Sequence, residues 1–231
     1  MAITTLMKRI SYRAAGWCTI ISGVFGLLAF GVLFYAVISR TSWELTDEIK
    51  FLFNAHNAIA ILQFLLLIPL AVGLYNLSQR HSPGMSKTTL YVGISTLVMT
   101  PLFLLLFLVP HFMSDEYYMI PQALFGAWLI KIMFNMKVDL SKWLRWTGIV
   151  IGFGLVLVGV YIVGYALFVD ASSLAIPAPD FATVKDPGPT TANVIVHFIL
   201  DIGSFIGVLP FPFWCLFMGR RIMREHMELA Y

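Results

Sequence analysis

The sequence predicts an all-α, polytopic integral membrane protein with six transmembrane helices in a single domain. Its 231 residues are 59% hydrophobic and 12% charged, and the mean hydropathy is +0.85. The apolar residues form six stretches, and a helix needs about 20 residues to cross a hydrocarbon core about 30 Å thick. Backbone polar groups in lipid must be paired within the segment, so the stretches predict helices rather than strands.

The six predicted helices follow one another with short polar gaps. They cover residues 14–38, 51–77, 88–109, 119–136, 146–169 and 192–218. The first stretch exceeds the apolar region of a signal peptide, which has about 7–15 residues, so we expect it to remain as a helix. The longest gap, residues 170–191, contains four prolines and leaves no room for a separate soluble domain. The sequence therefore predicts one membrane domain over residues 1–231.

The basic residues predict an orientation. Of the 15 lysines and arginines, only Arg40, Lys50 and Lys185 fall on one side of the predicted membrane. The others lie in the alternate gaps and at the two ends of the chain, which by the positive-inside rule predicts that both termini are cytoplasmic. The net charge of +3 therefore follows from topology and does not indicate nucleic-acid binding. The expected partners are the lipid bilayer and other membrane subunits.

The second and sixth predicted helices share a spacing of unusual residues. The positions are His56, Phe64, Pro69 and Arg80 in the second helix, and His197, Phe205, Pro210 and Arg221 in the sixth. Each pair is 141 apart in residue number. The spacing favours a duplicated helical hairpin, in which helices 1 and 2 recur as helices 5 and 6, with sites at the repeat interface. Chance similarity between apolar helices is the alternative. Proline predicts a kink in both helices.

Polar residues within the apolar stretches mark one candidate site near the extracytoplasmic side. A carboxylate at the centre of a membrane costs about 2.5–3.5 kcal/mol, so Asp201 is the least favourable residue there. His197 lies one turn earlier on the same helix face, and a carboxylate commonly orients a histidine that binds a ligand. The candidate binding or proton-relay residues are Asp201, His197, His56, Gln63, Ser204 and His111.

Three functions compete for this cluster. The first is an accessory or binding subunit without a cofactor, in which the histidines and Asp201 stabilise helix ends and packing. The second is a small proton-linked transporter that uses Asp201 and His197. The third is a b-haem or metal-binding redox protein with His56 and His197 as ligands. No hydrolase, nucleotide-binding, metalloprotease or dithiol motif is present, so no catalytic residue is predicted and nothing in the sequence favours an enzyme.

Two segments carry a family resemblance. PLAVGLYNLSQR, at the end of the second predicted helix, and PFPFWCLFMGRR, at the end of the sixth, resemble a family of uncharacterised bacterial multi-pass membrane proteins, a domain of unknown function. The resemblance implies a location in the bacterial inner membrane. It transfers no functional residue.

Overall fold

The computed structural model describes residues 12–39, 46–81, 85–107, 115–136, 140–176, 188 and 190–228. Every regular element in these ranges is helical, which confirms the predicted all-α class. The helices are α1 Tyr12–Ser39, α2 Asp47–Leu66, α3 Ile68–His81, α4 Lys87–Phe107, α5 Met119–Asn135, α6 Lys142–Phe168, α7 Thr191–Gly203 and α8 Phe211–Glu228. A π-helical turn, Ser204–Val208, joins α7 to α8, and short 3-10 turns cover Asp115–Tyr118 and Ala171–Leu174.

These helices form six rods, where a rod is one continuous run of helix along the chain. α1, α4, α5 and α6 are one rod each, α2 and α3 together form another, and α7 and α8 form the last. Five of the rods are long and apolar enough to cross a membrane, including Asp47–Gln79 and Thr191–Arg224. The chain therefore has the helices of a multi-pass membrane protein. The remaining rod, α5, has 17 residues, fewer than the usual 20 or so of a membrane crossing. The count of six crossings, the orientation and the duplication stay predictions.

Two helices, α2 and α6, begin four residues earlier than the hydropathy pattern predicts, because polar residues cap them. Thr46 precedes α2, and its side chain accepts a hydrogen bond from the Ile49 amide at 3.4 Å. Ser141 does the same for α6 through the Leu144 amide, also at 3.4 Å. Such side chains pair amides that the first helical turn leaves without partners. An average over apolar residues cannot detect these polar starts.

Both of the helices for which a proline kink is predicted are interrupted beside that proline. Proline has no amide hydrogen and its ring crowds the carbonyl four residues earlier. Before Pro69, the Leu67 amide donates to the Phe64 carbonyl, three residues back, at 3.1 Å. Before Pro210, the Leu209 amide donates to Ser204, five residues back, at 2.9 Å. The hydrogen bond at the first break therefore spans three residues, fewer than the four of an α-helix, and the one at the second break spans the five of a π-helical turn.

Small residues bring several helices into close contact. A Cβ atom added to Gly154 of α6 would lie 2.3 Å from the Gly207 backbone nitrogen, and one added to Gly16 of α1 would lie 2.8 Å from the Gly219 carbonyl oxygen of α8. Only glycine allows backbones to approach so closely. α1 also packs along α2, and α5 packs along α6. The core between them is apolar and includes Trp214, whose Nε1 donates to the Leu144 carbonyl at 3.0 Å.

Candidate functional site

A partly enclosed cavity of about 220 Å³ lies among α1, α2, α4, α5, α6, the end of α7, the π-helical turn and the start of α8. It sits toward the end of the bundle where α1 and α4 end and where α2 and α5 begin. Its walls are mostly apolar, with Phe30, Leu33, Leu104 and Val158 among the lining residues. One water occupies about 30 Å³ of liquid, so the space suits a small molecule or part of a lipid.

Five polar side chains line this cavity. They are His56, Gln63, Tyr118, Gln122 and Ser204. Three of them, His56, Gln63 and Ser204, are among the residues that the sequence predicts for a site. The structure thus brings together predicted residues from the second and the sixth predicted helix. A few polar groups within apolar walls are typical of a small-molecule site.

The His56 ring is oriented by the neighbouring helix. Its Nδ1 lies 3.0 Å from the Ala29 carbonyl oxygen of α1. A carbonyl only accepts hydrogen bonds, so Nδ1 carries the proton and donates. In the neutral ring Nε2 is then an acceptor, and it makes no hydrogen bond to a residue that the structure describes. His56 therefore presents a fixed acceptor at the cavity wall.

The two glutamines each supply an unpaired carboxamide at the cavity wall. Gln63 is 7% exposed and Gln122 is 5% exposed. Neither carboxamide makes a hydrogen bond within the described part of the chain, and neither is among its fully buried unpaired atoms, so their polar atoms keep surface toward the cavity. The Gln63 backbone, by contrast, is held by α1, because the Ser22 hydroxyl donates to the Gln63 carbonyl at 3.0 Å. Both carboxamides are therefore free to bind water or a ligand in the cavity.

Gly26 makes room for the Gln63 carboxamide. A Cβ atom at Gly26 would lie 2.6 Å from Gln63 Nε2. That is well inside van der Waals contact, so a larger residue at this position would displace the carboxamide. Because Gly26 of α1 has no side chain, the Gln63 carboxamide of α2 can occupy this space.

Tyr118 and Gln122 are site residues that the sequence interpretation missed. Gln122 is an amide within a strongly apolar predicted helix, and that isolation is a signal that could have identified it. Tyr118 follows Tyr117, whose hydroxyl donates to the Leu174 carbonyl and so ties the turn before α5 to the turn after α6. Burial raises the pKa of Tyr117 above its usual range, so the phenol stays protonated and remains a donor at neutral pH.

Asp201 and His197 lie outside the cavity, and both are exposed on α7. The His197 Nδ1 bonds to the Asn193 carbonyl of its own helix at 3.0 Å. Its ring lies edge-on to Tyr161 and Tyr165 of α6, with ring centroids 5.6 and 5.9 Å apart. Asp201 forms no hydrogen bond or ion pair with any described residue, His197 included. The structure therefore separates this pair from the cavity that His56 lines.

The remaining predicted site residue, His111, lies outside the described residues. Within the described ranges, no group of three or more His, Cys, Asp or Glu side chains is placed to hold a metal ion. A b-haem needs only two histidine ligands, and His197 does not line the cavity with His56. The metal and haem alternatives stay predictions.

Comparison with known proteins assigns no family to the chain. No protein-family model matches it, and no curated protein or solved structure matches it significantly. The resemblance of the two helix ends to a bacterial multi-pass membrane family therefore stays a prediction. The cavity and the exposed helix surfaces therefore provide the evidence on function.

Proposed function

We propose that this protein is an accessory or binding protein of the bacterial inner membrane that holds a small, mainly apolar ligand in the cavity beside His56, Gln63 and Gln122. The observation that carries the proposal is the pair of glutamine carboxamides at the cavity wall that make no hydrogen bond to a described residue. Neither carboxamide is among the fully buried polar atoms without a partner, so both keep surface toward the cavity, where a water or a ligand can bind. A few polar groups that converge on an apolar cavity are typical of a ligand site.

The proposal places the cavity toward the extracytoplasmic side of a bundle that crosses the membrane six times. The distribution of basic residues supports this orientation. The 17 residues of α5 extend about 26 Å at about 1.5 Å per residue, and a bilayer can thin locally around a short helix. Both termini are then cytoplasmic.

The chemistry of the cavity wall indicates the ligand class. His56 Nε2 accepts a hydrogen bond, and each carboxamide both donates and accepts. None of the described lining residues is an acid, lysine or arginine, and an unpaired charge is strongly disfavoured in an apolar site. The ligand that fits is a neutral ring or chain with a hydroxyl or N–H donor beside a carbonyl or hydroxyl acceptor.

These observations favour binding over proton-linked transport. The transport alternative depends on Asp201 and His197, and both lie outside the cavity. No described carboxylate lines it, so a proton path through the cavity would lack its acid. A binding protein needs only the neutral polar groups that are present.

Native mass spectrometry of the protein, extracted in nanodiscs with its own lipid, tests the proposal. We expect the wild type to carry a small-molecule adduct. The double variant Gln63→Leu, Gln122→Leu should lose it, because leucine fills a similar volume without the hydrogen bonds. The double variant should also unfold at an equal or higher temperature, because leucine places apolar instead of polar atoms against a mostly apolar wall.

Asn54→Leu is the matched control, because it makes the same kind of change at an exposed position outside the cavity. This variant should keep the adduct. A wild-type chain without any adduct would contradict the proposal. So would an adduct that the double variant retains in full.

A further inference from the structure

The outward face of α7 is defined by how this helix packs on α6. A Cβ atom at Gly203 would lie 2.9 Å from the Gly154 carbonyl oxygen, and one at Gly207 would lie 2.6 Å from the Gly154 backbone. These glycines therefore face α6. Asp201 precedes Gly203 by two residues, about 200° around a helix of 3.6 residues per turn. Its side chain points away from α6, in agreement with its exposure.

Asp201 lies within an exposed apolar stripe. The stripe consists of Val194, Phe198, Asp201 and Phe205, which we call the Asp201 stripe. The three apolar members are 60%, 62% and 72% exposed, and they lie on both sides of the carboxylate along the helix. Asp201 therefore lies between exposed apolar side chains along the helix. The steps of four, three and four residues are those of a seam that packs against another helix.

A carboxylate on such a surface needs a partner. Charged groups within membrane-spanning helices pair with one another or with polar groups, because lipid does not solvate them. Asp201 has no such partner among the residues that the structure describes. Its nearest titratable neighbour on the helix, His197, is turned toward Tyr161 and Tyr165. Within the described part of the chain, no group therefore occupies the carboxylate.

We infer that the Asp201 stripe docks a transmembrane helix of a partner protein that presents an arginine or lysine at the depth of Asp201. Charge complementarity selects this occupant. A second copy of the chain in a parallel symmetric pair would place Asp201 against Asp201, and like charges in a low-dielectric medium repel. The inference rests on the accessory role proposed above, but it does not depend on a ligand in the cavity.

A synthetic helix provides a defined test. The full chain, labelled with a fluorescent donor on a C-terminal tag, is reconstituted in phosphatidylcholine vesicles with an acceptor-labelled Leu/Ala transmembrane peptide. One peptide has a single arginine in its outer third, and its matched control has leucine there. Energy transfer at increasing peptide-to-lipid ratio measures the affinity for each peptide.

We expect the wild type to bind the arginine peptide about tenfold more tightly than the leucine peptide. A polar contact between membrane helices changes the dissociation constant by about that factor. Asp201→Asn should remove most of this preference. Glu48→Gln, which changes an exposed acid at the start of α2, should leave it intact. Phe198→Ala should weaken both peptides equally, because it changes the shape of the stripe and not its charge.

Two results would overturn the inference. The first is equal affinity of the wild type for the arginine and leucine peptides. The second is energy transfer between donor- and acceptor-labelled copies of the chain that Asp201→Asn abolishes, because the occupant would then be a second copy. Circular dichroism confirms that each variant is folded. The peptide experiment does not depend on the adduct in the cavity. The proposal of a cavity ligand and the inference of a partner helix can therefore fail independently.

Discussion

The two rods that proline interrupts, α2–α3 and α7–α8, share a spacing of residues but differ in their surroundings. Gln63 and Ser204, 141 apart in residue number, both line the cavity. His56 and His197 have the same offset, yet only His56 lines it. One pair of positions with this offset is therefore brought together and the other is not. A shared spacing in sequence does not ensure a shared environment.

The difference follows from where each rod lies. The apolar window of the first rod is 56% buried, whereas that of the second is 22% buried. α2 and α3 contact α1 and α4, while α7 packs mainly on α6. His56 on the enclosed α2 reaches the cavity, whereas His197 on α7, which packs mainly on one helix, reaches the surface.

The largest expected effect comes from alanine at one glycine of each rod. A Cβ at Gly207 meets the Gly154 backbone at 2.6 Å, whereas a Cβ at Gly73 of α3 meets only Ala15 Cβ at 3.6 Å. Gly207→Ala should lower the free energy of unfolding by about 1–3 kcal/mol, as overpacking does. Gly73→Ala should leave it unchanged or raise it by about 0.5–1 kcal/mol. Denaturation of both variants in one detergent measures the difference, and equal stabilities would refute the close contact of α6 with the second rod.

The next largest expected effect is a difference in stability between alanine variants of the two histidines. His56→Ala removes a half-buried ring and its hydrogen bond to α1, so we expect a loss of about 1–2 kcal/mol. His197→Ala alters an exposed ring bonded to its own helix and should stay within about 0.5 kcal/mol. Thermal unfolding of both variants provides the comparison. Equal losses would instead support an equivalent environment for the two histidines.

The smallest effect concerns two serines. Ser22→Ala removes the buried hydroxyl that donates to the Gln63 carbonyl at 3.0 Å, and should cost about 1 kcal/mol. Ser204→Ala removes a hydroxyl that makes no hydrogen bond to the described residues, and should cost less than about 0.5 kcal/mol. Chemical denaturation resolves this difference. A loss at Ser204 as large as that at Ser22 would show that the Ser204 hydroxyl is paired.

Three of the five polar side chains that line the cavity could be predicted from the sequence. His56, Gln63 and Ser204 stand out because polar residues are rare in apolar helices, and all three line the cavity. Tyr118 and Gln122 do not stand out in the sequence, because they lie beside the start of α5 and outside the spacing that the second and sixth predicted helices share.

Asp201 stands out in the sequence because a carboxylate in lipid has a high free energy. That free energy does not indicate the direction in which its side chain points.

The sequence by itself determined the helical class, the positions of the apolar rods and the two interruptions beside Pro69 and Pro210. These properties depend on local composition, on the length of each apolar run and on the missing amide hydrogen of proline. The tertiary structure alone decided which residues meet. In membrane helices the lipid-facing and protein-facing sides are both apolar, so hydrophobic patterning does not reveal which side faces inward. The rotation of each helix depends on contacts between distant residues, such as Gly154 with Gly207 and Ser22 with Gln63.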